Sequence, residues 1–134
     1  MTRKEKRSLR KIYVFGNSLL TEDSLAIRVS DNLKKSFLNV SFIHLDPNEE
    51  IKEKNLILLD VAKGIKKVEI ITDLDKLILE NKYSLHDYDL AFNLKLLKKI
   101  GSINSVKIIA IPVNYNLKKA IRECQTIISS TIST

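Results

Sequence analysis

Apolar residues fall into two rhythms along this chain. Short β-branched runs at Lys11–Phe15, Val40–His44, Asn55–Asp60 and Val106–Ile111 predict strands, with Val68–Ile71 as a fifth. Leu56–Leu59 and Ile108–Ile111 are apolar without interruption, the pattern of strands covered on both faces. Between the runs the spacing becomes helical. Ala26, Val29, Leu33 and Phe37 make one stripe across Glu22–Phe37. Leu90, Leu94 and Leu97 make a second across Tyr88–Ile100, with Gly101 as its stop. Leu117, Ile121, Cys124 and Ile128 make a third across Leu117–Ser130. Thr21 is the expected N-cap of the first helix, with Glu22 and Asp23 in its opening turn. Asp46–Lys54 carries a short, faint helical pattern.

Strands alternating with helices predict an α/β fold, a three-layer α/β/α sandwich around a mostly parallel five-stranded sheet. Ligands of such sheets gather at the carboxyl ends of the strands. That directs attention to residues 16–23, 60–64 and 112–116.

Composition narrows the class. The chain has 134 residues, 44% of them hydrophobic, enough for one core and one domain. No apolar run approaches the roughly 20 residues of a membrane helix. One cysteine and two histidines exclude a disulfide framework and a self-contained zinc finger, and they fit a reducing compartment.

The net charge of +7 raises the question of a polyanionic partner. Its distribution answers part of it. The first eleven residues hold six basic groups against Glu5 alone, so +5 sits there. The expected organisation is a basic leader, residues 1–10, before a single domain, residues 11–134. The leader reads as a solvated terminus or a docking arm. No Arg-rich or aromatic stripe follows it, so no nucleic-acid binding is expected. The next apolar stretch is broken by Gly16-Asn17-Ser18 and runs into Glu22-Asp23. No export signal is therefore read, and a cytoplasmic location is expected.

Few residues are candidates for chemistry. Gly16-Asn17 just past the first strand suits a tight turn, with neither a GxGxxG nor a GK[ST] loop. Asp60 closes an apolar run and is costly to bury unless it is paired or ligates something. Gly64 then permits a sharp turn. His86 stands just before the helix that opens at Tyr88, whereas His44 lies within a strand and reads as structural. Cys124 lies on an apolar stripe and reads as packing. Asp23, Asp60 and His86 together offer two carboxylates and an imidazole, a donor set suited to a divalent transition metal. They are separated by 37 and 26 residues, so spacing leaves open whether they meet.

These residues resemble the motifs of the hydrogenase maturation endopeptidases, nickel-dependent proteases that trim the large subunit of [NiFe] hydrogenases. The family's G-N-x-L-x-x-D-[DE]-G-x-G motif is similar to Gly16-Asn17-Ser18-Leu19-Leu20-Thr21-Glu22-Asp23-Ser24-Leu25-Ala26. Its strand-end acid and glycine turn match Leu56–Asp60 and Gly64. Its Ser-x-His before a leucine-rich helix matches Ser84-Leu85-His86, and its last strand and helix match Ile108–Pro112 and Leu117–Ser130. Ser24 and Ala26 replace two family glycines, and Glu22 stands where Asp is usual.

The resemblance implies a phosphorylase/hydrolase-like fold. It also implies a nickel-dependent endopeptidase with the family's aspartic-type label and no classical nucleophile. Its substrate would be a nickel-loaded large-subunit precursor that loses a C-terminal peptide. The resemblance assigns Asp23, Asp60 and His86 to the nickel, which the precursor carries. It places Gly16 and Asn17 at the turn or the substrate. A non-catalytic binding or assembly protein of the same fold is the alternative, suggested by Ser24 and Ala26. Neither nucleic acid nor membrane insertion belongs to either reading.

Overall fold

The computed structural model describes residues 10–15, 24–44, 52–73 and 94–132. Five strands form one sheet: β1 (Arg10–Val14), β2 (Val40–His44), β3 (Asn55–Ala62), β4 (Glu69–Ile71) and β5 (Ser105–Pro112). Their spatial order is β2-β1-β3-β5-β4. The β1–β2, β1–β3 and β3–β5 pairs are parallel, and β4 runs antiparallel to β5 at one edge. Three helical stretches are described: α1 (Ser24–Ser36), α2 (residues 94–99) and α3 (Leu117–Ile132).

The sheet is covered on both faces, which is why its central strands lack polar alternation. Ile57, Leu59 and Val61 of β3 belong to the apolar cluster that contains the buried faces of α1 and α3. Leu56, Leu58 and Ala62 belong to the opposite cluster, with Leu94 and Leu97 of α2. The fold is therefore the expected three-layer α/β/α sandwich.

The middles of the first and third predicted stripes are buried, and Leu94 of the second is buried too, while Leu90 lies outside the described residues. Ala26, Val29 and Leu33 of α1 are fully buried, as are Ala120, Cys124 and Ile128 of α3. Lys34 and Lys35 close α1, where cations suit the negative end of the helix dipole. Asn116 caps α3: its Oδ1 accepts the Lys119 N–H at 2.9 Å. Helix α2 ends where Gly101 takes a φ of 84°, and Ser102 N–H returns to Leu97 O at 2.9 Å. That is the left-handed stop which glycine adopts without steric cost.

Beyond one-residue shifts at the ends of β1, β4 and β5, some details depart from the sequence reading. β3 does not stop at Asp60; it continues to Ala62, because Val61↔Ile111 and Ala62↔Pro112 prolong the ladder with β5. Lys52–Lys54 are not helical, and Glu53 instead bonds the Tyr13 hydroxyl and pairs with Lys11 at 3.0 Å. The last helix runs to Ile132 rather than to Ser130.

Candidate functional site

The chain leaves β1 toward β2 on one side and later enters β3 on the other. The carboxyl ends of β1 and β3 therefore flank the point where the strand order reverses, the usual position of a ligand crevice in an open α/β sheet. Phe15 N–H bonds Leu59 O at 2.9 Å, so the described part of β1 ends beside the residue preceding Asp60.

Asp60 is the acid that the fold places there. It is 3% exposed and stands opposite Ala110 in the β3–β5 ladder. Strand alternation puts it on the face of Leu58 and Ala62, the face that α2 covers. Its Oδ1 accepts the Val61 N–H at 2.7 Å. The reason is local. The described β1–β3 ladder ends at Val14↔Leu59, and Val61 lies two residues beyond it. The Asp60 side chain takes up a backbone donor there, which fixes the orientation of its carboxylate. Gly64 follows with a φ of 82°, so the expected turn after the strand is present.

Gly16, Asn17, Asp23 and His86 lie outside the described residues, as does Thr21. Asp23 directly precedes α1, and His86 is eight residues before Leu94, which is buried on the Asp60 face. Among the described residues no group of three His, Cys, Asp or Glu side chains is arranged to hold a metal. Asp60 is thus the one proposed ligand whose surroundings are on view.

Cys124 is fully buried, and burial together with the nearby Glu123 carboxylate pushes its thiol up to about 12. It is a packing residue with no capacity for thiolate chemistry at neutral pH.

A second polar feature at the same end of the sheet was not legible from sequence. Glu123 of α3 accepts the Val68 N–H at 3.0 Å and the Tyr115 hydroxyl at 2.9 Å. It thereby joins the β3–β4 connection, the β5–α3 turn and α3. Burial pushes Glu123 up, but the Val68 and Tyr115 donors, with Lys119 and Arg122 nearby, outweigh it and hold the carboxyl below its ordinary range. Burial and Glu123 push the Tyr115 hydroxyl up. Asn114, in the same turn, has a φ of 58°, a conformation Asn tolerates.

No family model and no curated protein matches the chain in sequence. Solved structures do match in fold. The hydrogenase maturating endopeptidase HybD from E. coli aligns over 92% of this chain and 94% of its own, with a TM-score of 0.59 and 15% identity. An uncharacterized protein from Wolinella succinogenes aligns over 92% and 99%, with a TM-score of 0.53 and 13% identity. No helix among the described residues is long and apolar enough to cross a membrane. The mostly parallel five-stranded α/β sheet of this chain has the fold of the HybD endopeptidase.

Proposed function

We propose that this chain is a maturation endopeptidase. It would remove a C-terminal peptide from a nickel-loaded [NiFe] hydrogenase large-subunit precursor in the cytoplasm. The observation that carries the reading is Asp60: a carboxylate 3% exposed, at the crevice of a HybD-like fold, beside the exit of β1. Burying a carboxylate among apolar residues is costly unless it is hydrogen-bonded, paired or ligating, and a place at a strand end facing a crevice suits a ligand. Asp23 and His86 complete a donor set of two oxygens and one imidazole nitrogen, which fits a divalent transition metal.

In this reading the precursor carries the nickel. Held by Asp23, Asp60 and His86, it would supply Lewis-acid polarisation of the scissile carbonyl and acidify a bound water. The Val61 N–H occupies one lone pair of Asp60 and aims the remainder of the carboxylate. Asn17 would offer a side-chain donor to substrate, on a turn that Gly16 permits.

A second reading, a non-catalytic assembly protein of the same fold, rests on Ser24 and Ala26. Ala26 is fully buried against the sheet, so its methyl group adds to the core. The two readings separate in one assay. Incubation with a nickel-loaded and a nickel-free precursor, followed by intact mass, shows a shortened product only with nickel if the chain is the protease. Stable complex formation without shortening establishes the assembly protein instead.

A further inference from the structure

The path of the chain from β3 to β4 is set by the strand order. β5 lies between these strands, and β4 runs antiparallel to it, so residues 63–67 must cross the carboxyl end of β5. β5 leaves toward α3, whose buried face belongs to one apolar cluster. The crossing uses the other face. Ile65 packs against the cluster that holds Leu58, Ala62 and Ala110, the neighbours of Asp60 on its own side of the sheet. Ile65 is half-buried, and the other four residues of the crossing are exposed. The connection is thus a strap that begins three residues beyond Asp60 and runs along the rim of the candidate site.

The strap is longer than its span. It bridges two strand spacings, about 10 Å. The chain from Ala62 to Val68 could reach about 20 Å if extended. Gly64, with a φ of 82°, takes up part of the excess as a bend. Slack chain keeps one path only where bonds offset its conformational entropy. The near end is fastened by Val113 N–H to Ala62 O at 3.2 Å. The far end is fastened by Glu123, whose Oε1 accepts the Val68 N–H at 3.0 Å. The Tyr115 hydroxyl lies 2.9 and 3.0 Å from the two Glu123 oxygens and holds the carboxylate in place. The packing of α3 does not require this bond, because its buried stripe is Ala120, Cys124 and Ile128. Glu123 thus reaches from the face opposite Asp60 to set a segment that lies on the Asp60 side.

We propose that Glu123 is a positioning residue of the candidate site. It fixes the strap, and the strap, through Ile65, forms an apolar wall for a polypeptide bound at Asp60. Glu123 itself touches neither the polypeptide nor a metal; its effect passes through Val68. That the polypeptide is the hydrogenase precursor rests on the endopeptidase reading, whereas the fastening of the strap does not. A wall of this kind contributes to binding and leaves the chemical step alone, so its loss raises KM rather than lowering kcat.

The test uses the full chain and three variants. Glu123→Ala removes the fastening, and Glu123→Gln keeps an oxygen acceptor for Val68. Ile128→Val trims the α3 core away from the strap and controls for a general loosening of the helix. Amide hydrogen exchange, read by mass spectrometry, reports on residues 63–68. Their exchange should be about tenfold faster in Glu123→Ala and within about threefold of wild type in the other two variants. Nickel-loaded precursor should slow the same exchange in the wild type. Precursor affinity should fall about tenfold in Glu123→Ala and recover in Glu123→Gln, and the loss in turnover should sit in KM with kcat within about threefold. Unchanged strap exchange in Glu123→Ala would overturn the fastening. An equal loss of affinity in Ile128→Val would overturn the positioning role in favour of plain stability. Precursor binding that gives the strap no protection would overturn the wall. Binding with strap protection, but without a shortened product from the wild type, supports the strap and contradicts the endopeptidase reading, so the two failures are distinct.

Discussion

Asp60 and Val61 are adjacent in β3 and point to opposite faces of the sheet, yet the Asp60 carboxylate accepts the Val61 N–H at 2.7 Å. That bond supports the strand and orients the acid, so the two roles separate by substitution. Asp60→Asn keeps a carbonyl acceptor for Val61 and should change unfolding stability by less than about 1 kcal/mol while abolishing ligation. Asp60→Ala leaves the buried Val61 N–H without that acceptor and should cost about 1–3 kcal/mol. Urea unfolding of both variants measures the difference.

Cys124 should be silent toward thiol reagents. With its thiol pushed up to about 12 and its side chain fully buried, it is neither ionised nor reachable at pH 8. Ellman's reagent should report no thiol in the folded chain and one after denaturation. Fast labelling of the native chain would show that the α3 packing opens readily.

Stability should depend on pH at both extremes, through identified groups. Burial pushes Glu53 up, but the Tyr13 hydroxyl and Lys11 outweigh it and leave the group below its ordinary range. Glu123 is lowered too, by Val68 and Tyr115 against burial. A carboxyl depressed in the folded state stabilises above its unfolded pKa, and that stability is lost as pH falls through the folded value. Tyr115 is raised, by burial and Glu123. Its contribution is present below the ordinary phenol range and is lost as pH rises through the folded value. The urea midpoint should be flat near neutrality and fall on either side. Glu123→Gln should flatten the acid limb, because it keeps an acceptor without the titration.

Gly101→Ala should be destabilising through backbone conformation alone. A Cβ built there meets nothing within 4 Å, so no clash contributes. The φ of 84° remains, at a cost of about 1–2 kcal/mol for a residue with a side chain. Gly101→Asn should recover part of this loss in the same unfolding measurement.

The features readable in the chain and those that are not divide on a physical line. Val40–His44 is a strand over the predicted residues, and the Ala26, Val29, Leu33 stripe is buried as its spacing demands. Periodicity reports such faces directly. Asp60 was legible as an acid out of place in an apolar run. The continuation of β3 to Ala62 was not, because it depends on β5 running equally far to Pro112. The Val68–Glu123–Tyr115 link was likewise hidden: its partners are up to 55 residues apart, and only the packing of α3 beside the β3–β4 connection joins them. Asp23 and His86 lie outside the described residues, and their part in the site stands on chemistry and motif order.

The most direct test of the account is cleavage of the nickel-loaded precursor by the Asp60→Asn chain, alongside Asp23→Asn and His86→Gln. All three should fold, and each should leave the precursor at full length while the wild type shortens it at its C-terminus. An Asp60→Asn chain that shortens the precursor at the wild-type rate would contradict the central role assigned to Asp60.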